Sequence, residues 1–308
     1  MDINKYGSSR RNSSFSDDRN LPERCFFIAN SRLRAVKYTY GHQPAMGTGR
    51  KQRIEEMRDV CIPEHRKHDS TPAQRFIYEK VGFLFTRIFV KTRITPNQIT
   101  WIWLGLMLFF SSFFLFDCLW IHVAGAIGWI AAYSMDSTDG HVARYKRTYS
   151  RRGIFLDTIN HSISWPILFF CVGTGQYLVS GEILNIIFGM VAGLFILLIL
   201  IAPYLQFLVD PDIKDISWAR IEEKAFKDKR RYILIRNINP LSFDNILIML
   251  LVATALDLLA AGVALPNLIL ADELFWITSF LSLFVVLYAV GYVLAFPLRF
   301  AVLYRMLK

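Results

Sequence analysis

Three aspartates, Asp136, Asp139 and Asp157, stand in sequence that is otherwise apolar enough for a membrane. An acid at the centre of a bilayer costs about 2.5–3.5 kcal/mol even on the mild insertion scales, so three of them imply use. Asp136 and Asp139 are three residues apart and share one helix face. Gly140 follows at once and lets a ligand approach the backbone, while Arg144 can make a forked contact with phosphate. Hard oxygen donors of this kind, converging from two helices, describe a divalent-cation site that holds a phosphate-bearing substrate.

The elements that must carry these acids are hydrophobic spans. Hydrophobic residues make up 54% of the chain, and the mean hydropathy of +0.33 is too high for an ordinary soluble domain of this charge content. Six helical spans are expected, at about 97–116, 119–144, 153–179, 182–209, 244–265 and 272–304. The fold class is therefore an all-α membrane protein, a six-transmembrane-helix bundle. The loop after the second span carries Arg144, Lys146, Arg147, Arg151 and Arg152, and the loop after the fourth is also rich in Lys and Arg. The turns near Asp117, Glu182 and Asp272 have neither, so both termini and the acids are expected on the cytoplasmic side. The membrane is a bacterial inner membrane or an internal eukaryotic one. The net charge of +10 then reads as this asymmetry plus attraction to anionic headgroups, and a nucleic-acid partner is not expected.

Three segments follow along the chain. Residues 1–69 are Ser-, Arg- and Asn-rich, have no apolar leader, and are expected to be a basic cytoplasmic tail, most of it disordered or loosely attached to the cytoplasmic surface. Residues 70–94 open with Ser70, Thr71 and Pro72, a capped helix start. Phe76, Ile77, Phe83, Leu84, Ile88 and Phe89 then interleave with Arg75, Lys80, Arg87 and Lys91. That pattern suits a juxtamembrane amphipathic helix in the interface, or equally a helix packed on the domain's own surface. Residues 95–308 form the six-span domain, opened by Thr95 as cap and Pro96 in the first turn. Gly189 and Gly193 make a small-xxx-small pair, usable within the bundle or at a seam between two copies. Asp210, Asp212 and Asp215 in the connector 210–243 lack the Gly and the spacing of a calcium loop. Cys25, Cys61, Cys118 and Cys171 form no CxxC pair and are expected to be free thiols. His141 is expected to face the cytoplasm, and Asp257 to pack against a neighbouring helix.

The acidic stretch resembles the CDP-alcohol phosphotransferase motif, D-x2-D-G-x2-A-R-x8-G-x3-D-x3-D. Asp136, Asp139, Gly140, Ala143, Arg144, Gly153 and Asp157 fall on it with the spacing kept, and the last position holds His161 in place of Asp. Thr95 to Thr100 is similar to the family's P-N-x-x-T entry, with polar residues lining a nucleotide pocket. The resemblance implies that a CDP-linked lipid or alcohol gives its phosphoryl-alcohol part to an acceptor hydroxyl and releases CMP. It implies Mg2+ or Mn2+, two ions, held by Asp136, Asp139, Asp157 and His161. It implies CDP contacts from Asn97, Thr100, Gly140, Ala143, Arg144, Ser150 and Gly153. It also implies a helix before the first span and a homodimer.

The resemblance makes the last motif residue the general base, so His161 carries the open question. Asp157 and His161 are four apart and share a helix face. A neutral imidazole can take a proton from the attacking hydroxyl, or ligate the second metal, or mark a member that binds nucleotide and lipid with little turnover. A transporter would spread its polar residues over several spans, and here they concentrate in the second and third. The acceptor alcohol, and whether the lipid sits on donor or acceptor, stay open.

Overall fold

The computed structural model describes residues 50–62, 71–148, 150–209, 237–262 and 277–306, and all its regular elements there are helical. In chain order they are α1 (Arg50–Cys61), α2 (Glu79–Phe89), α3 (Pro96–Ser112), α4 (Leu119–Lys146), α5 (Arg151–Ser180), α6 (Leu184–Val209), α7 (Phe243–Gly262) and α8 (Phe280–Met306). A π-helical turn, Gln74–Tyr78, leads into α2, and a 3-10 turn, Phe113–Leu115, extends α3. Each expected span coincides with a helix, from α3 to α8. The sixth begins at Phe280, whereas 272–276 of its expected range and 263–265 of the fifth lie outside the described residues, as do 1–49 and 63–69 of the tail and the connector's three acids.

Five of these helices are long and apolar enough to cross a membrane: Pro96–Leu115, Arg152–Ser180, Leu184–Leu205, Phe243–Gly262 and Phe280–Tyr304. α4 has the length, 28 residues, but its last turns hold the acids and basic groups of the motif, which lowers its apolar content. The chain is thus an all-α integral membrane protein.

Local chemistry fixes where the helices begin and end. The Thr95 hydroxyl accepts from the Gln98 amide at 3.4 Å while Gln98 Oε1 accepts from the Thr95 amide at 2.8 Å, a reciprocal cap in front of Pro96. Ser150 Oγ accepts from the Gly153 amide at 3.0 Å and starts α5. Arg147, at φ 56°, ends α4 in the left-handed region, with the Thr148 amide donating back to the Ala143 carbonyl at 3.0 Å. Asp257 does more than pack: its carboxylate accepts from the amides of Phe280 at 2.7 Å and Leu281 at 3.1 Å, and so caps α8.

α4 is the spine of the site end, packed by α3, α2, α7 and α1, while α5 packs on α6, α3 and α8. Trp103, Trp129 and Trp165 are fully buried between them. A Cβ on Gly173 would come within 2.5 Å of the Asn185 carbonyl, and one on Gly189 within 2.7 Å of the Phe169 carbonyl. Gly193 faces Pro166 in the same way, so of the two uses open to this small-residue pair the one inside the chain is seen, between α5 and α6.

α2 runs lengthwise along the last turns of α4. Tyr78 meets Tyr133 edge-on at 5.0 Å, Gly82 lies so close that a Cβ would reach within 2.5 Å of the Ser134 carbonyl, and Thr138 Oγ1 donates to the Gly82 carbonyl at 3.0 Å. At its end, Lys146 Nζ donates to the carbonyls of Thr92 at 2.8 Å and Ile94 at 2.9 Å. The packed face is Tyr78, Gly82 and Thr86, and the opposite face exposes Phe76, Leu84 and Ile88. Within the tail expected up to residue 69, α1 is an ordered helix. Its sequence is polar, and it docks on α4 by its last turn, where Cys61 and Ile62 are buried.

Candidate active site

The helix ends described above bring α3, α4 and α5 together around the motif. Asp136 on α4 and Asp157 with His161 on α5 each offer a ligand atom, all within 4.8 Å of one another. His161 Nε2 lies 3.2 Å from Asp136 Oδ1 and 3.6 Å from Asp157 Oδ1. The three side chains are 29, 31 and 21% exposed, in the order Asp136, Asp157, His161, so a ligand can reach them. Aromatic walls fix the imidazole: its ring sits 5.3 Å from that of Trp103 and 6.3 Å from that of Tyr133. The donor set, two carboxylates and an imidazole nitrogen, fits a divalent cation.

Asp139 is held from α3. The buried Thr100 hydroxyl donates to its Oδ2 at 2.7 Å, with the Pro96 carbonyl 3.0 Å away as the other acceptor. Asn160 Nδ2 in turn donates to the Thr100 carbonyl at 2.7 Å, tying α5 to α3. Asn160 Oδ1 is buried and has no hydrogen-bond partner among the described residues. Nothing in the motif pointed to Asn160; its one sequence signal is a buried amide between Asp157 and His161.

The other expected contacts divide into two groups. Asn97, Ser150 and Gly153 meet at the start of α5, where Ser150 Oγ donates to Asn97 Oδ1 at 3.4 Å. A Cβ on Gly153 would lie 3.0 Å from Asn97 Oδ1, so the missing side chain is what admits this pair. Gly140 faces the Arg144 guanidinium, which a Cβ there would meet at 3.5 Å. Arg144 Nε donates to the Cys61 carbonyl at 2.7 Å, so the N-terminal helix braces the motif's arginine. Ala143 is nearly buried beneath it.

His141 does not face the cytoplasm. It is 2% exposed, its Nδ1 lies 3.0 Å from Thr86 Oγ1, and its carbonyl accepts from the Cys61 thiol at 3.7 Å. The cause is α2, which covers this side of α4. Burial pushes the Cys61 thiol up to about 12, with the nearby Arg144 charge pulling it back in part. Burial, and then the Asp244 charge, likewise raise the Tyr78 hydroxyl, which donates to the Asp244 carbonyl at 2.7 Å.

Two carboxylates and an imidazole whose ligand atoms lie within 4.8 Å of one another make a set that could hold a divalent cation. Residues 93–225 match the CDP-alcohol phosphatidyltransferase family. The matched stretch runs from α3 through α6 and holds every expected site residue. No curated protein matches the chain. The CDP-alcohol phosphatidyltransferase family consists of phosphotransferases that move phosphoalcohol groups at membranes in phospholipid synthesis and use divalent metals. A CDP-alcohol substrate and membrane lipids are what such a domain handles.

Proposed function

We propose that the chain transfers a phosphoryl-alcohol group, in the phosphatidyl form, from a CDP-linked donor to an acceptor hydroxyl, with His161 as the proton acceptor. The observation that supports this most is the seat of His161. Its Nε2 stands within 3.2–3.6 Å of both Asp136 and Asp157, on the helix face where the family motif has its last acid. Asp136, Asp139 and Asp157 are the oxygen donors for Mg2+ or Mn2+, which leaves His161 Nε2 free of the cation to take the proton. A divalent cation bound there supplies charge neutralisation for the pyrophosphate and its leaving CMP.

The chain's own residues do the rest. The acceptor oxygen forms a bond to the phosphorus that carries the alcohol, the bond from that phosphorus to the CMP oxygen breaks, and CMP leaves with the electron pair. The hydroxyl proton passes to His161 Nε2, where the neighbouring carboxylates stabilise the imidazolium. Trp103 and Tyr133 hold the ring in place for this. Gly140 leaves the nucleotide room beside Arg144, whose guanidinium suits a phosphate oxygen. Asn97, Ser150 and Gly153 border the same mouth, and the site opens to the cytoplasmic half of the bilayer.

A second reading rests on the same substitution: a histidine in the base position also fits a weakly active member that binds nucleotide and lipid. CMP release in detergent separates the two, with CDP-diacylglycerol, a panel of alcohols, and Mg2+ or Mn2+. Turnover by wild type that Asp157→Asn abolishes establishes the transferase, and the active alcohol names the acceptor. Silence from wild type with activity from His161→Asp establishes the weak member.

A further inference from the structure

We propose that the outward face of α2 is a binding site for one anionic phospholipid, with its phosphate between Arg87 and Lys91 and an acyl chain along Leu84 and Ile88. These four residues line an open groove of about 470 Å³. Leu84 and Ile88 are four apart on α2 and share one side of it, while Arg87 in its last turn and Lys91 in the turn that follows border the same groove. Leu84 and Ile88 are each 55% exposed, which aligns them with lipid rather than with a protein core. One turn earlier Phe76 is 62% exposed, and the Lys80 ammonium lies 5.4 Å over its ring.

The register along α4 sets the direction of the ligand. Lys146 Nζ, at the end of α4, holds the carbonyl of Thr92, the residue after Lys91. The basic end of the groove is therefore level with Lys146 and Arg147, where headgroups lie if the basic loop marks the membrane surface. The apolar end points toward Tyr78 and the middle of α4, along which an acyl chain descends. A soluble anion would use only the basic end, and an apolar peptide only the other, so charge and apolar surface together select a lipid acid.

This site is separate from the substrate's. α2 turns Tyr78, Gly82 and Thr86 to α4, and the groove occupies the opposite side of the helix. The lipid held there is a resident of the fold and not the donor or acceptor.

Native mass spectrometry of the full chain in mild detergent, offered equal phosphatidylglycerol and phosphatidylcholine, tests it. Wild type retains phosphatidylglycerol about tenfold over phosphatidylcholine, from two basic groups at a headgroup. Arg87→Gln with Lys91→Gln brings the ratio to near one, and Arg87→Lys with Lys91→Arg keeps it. Both pairs are on exposed or half-exposed turns and use good helix formers, so the fold persists. An unchanged ratio in the glutamine variant overturns the proposal. So does displacement of the lipid by CDP, which would put it in the nucleotide site, or a dimer that the glutamine variant dissolves, which would make the face a protein interface.

Discussion

The Thr100 hydroxyl donates to the Asp139 carboxylate at 2.7 Å, across the gap between α3 and α4. The contact fixes one acid of the motif from a helix that carries none of the others. Asn160 extends it to α5 by holding the Thr100 carbonyl, so the three helices that build the site are joined through one residue of α3. A carboxylate set in orientation before its ligand arrives loses less freedom on binding, which is the usual service of groups behind a metal site.

Replacing Thr100 by Val keeps the shape and removes the donor. CMP release should fall about tenfold to hundredfold, the range for lost support of ligand groups, and half-maximal activity should need more Mg2+ or Mn2+. Thr100→Ser restores the hydroxyl and should restore both. A metal titration on the three proteins reads the result, and an unchanged metal requirement in Thr100→Val would remove Asp139 from the metal's donors.

Gly82 has no room for a side chain. A methyl there would collide with the Ser134 carbonyl and Ser137 Oγ and push α2 off α4. Gly82→Val should therefore destabilise the protein by about 1–3 kcal/mol, as overpacked contacts do, and lower its melting temperature in detergent. Because α2 also buries Thr86 against His141, the same variant should expose His141 to chemical modification. A wild-type melting curve would mean that α2 is not seated on α4.

Much of this architecture was legible in the sequence, because membrane spans announce themselves by composition and the acids stand out against it. The spans expected at 97–116, 119–144 and 153–179 became α3, α4 and α5 nearly to the residue. What stayed hidden depends on tertiary approach. α1 is mostly charged in sequence, and it docks through Cys61 and Ile62 and through the Cys61 carbonyl that Arg144 holds. His141 looked solvent-facing because nothing in its own helix says that α2 lies over it. Thr100 read as a pocket residue, and its bond to Asp139 exists only once two helices cross. The use of Gly189 and Gly193 between α5 and α6 could not be told from a seam between copies, since both need the same small residues.

The Asp257 cap tests stability apart from chemistry. Ser279, at the start of α8, donates to Gln176 on α5, and Gln176 stands 19 residues beyond Asp157, about 28 Å along the helix. Asp257→Ala leaves the Phe280 and Leu281 amides without their acceptor and should cost about 0.5–2 kcal/mol. The melting temperature should drop while the metal requirement and the CMP released per folded molecule stay as in wild type. A changed metal requirement would mean that the two ends of the bundle are coupled.

Two free thiols report on orientation and on the seat of α1. Cys118 is exposed in the turn between α3 and α4, while Cys61 is buried against His141. α3 runs 12 residues from Thr100 to Ser112, about 18 Å, and the turn lies beyond that end, so at the far end from the site. With the site cytoplasmic, a membrane-impermeant maleimide should label single-cysteine Cys118 protein from outside intact cells, and labelling only after permeabilisation would reverse the orientation. Cys61, raised by burial to about 12 from 9.0, stays a thiol at pH 8 and should label slowly in the folded protein. The sign follows from the raised value: the folded state keeps the proton longer than the unfolded one. The seat of α1 is thus undiminished below pH 9 and weakens as the pH climbs toward 12. Labelling of Cys61 should therefore accelerate above pH 9 by more than the rise in free thiolate alone, since undocking adds access to reactivity. A native Cys61 that reacts at pH 8 as fast as Cys118 would show α1 undocked, and with it the brace on Arg144 lost.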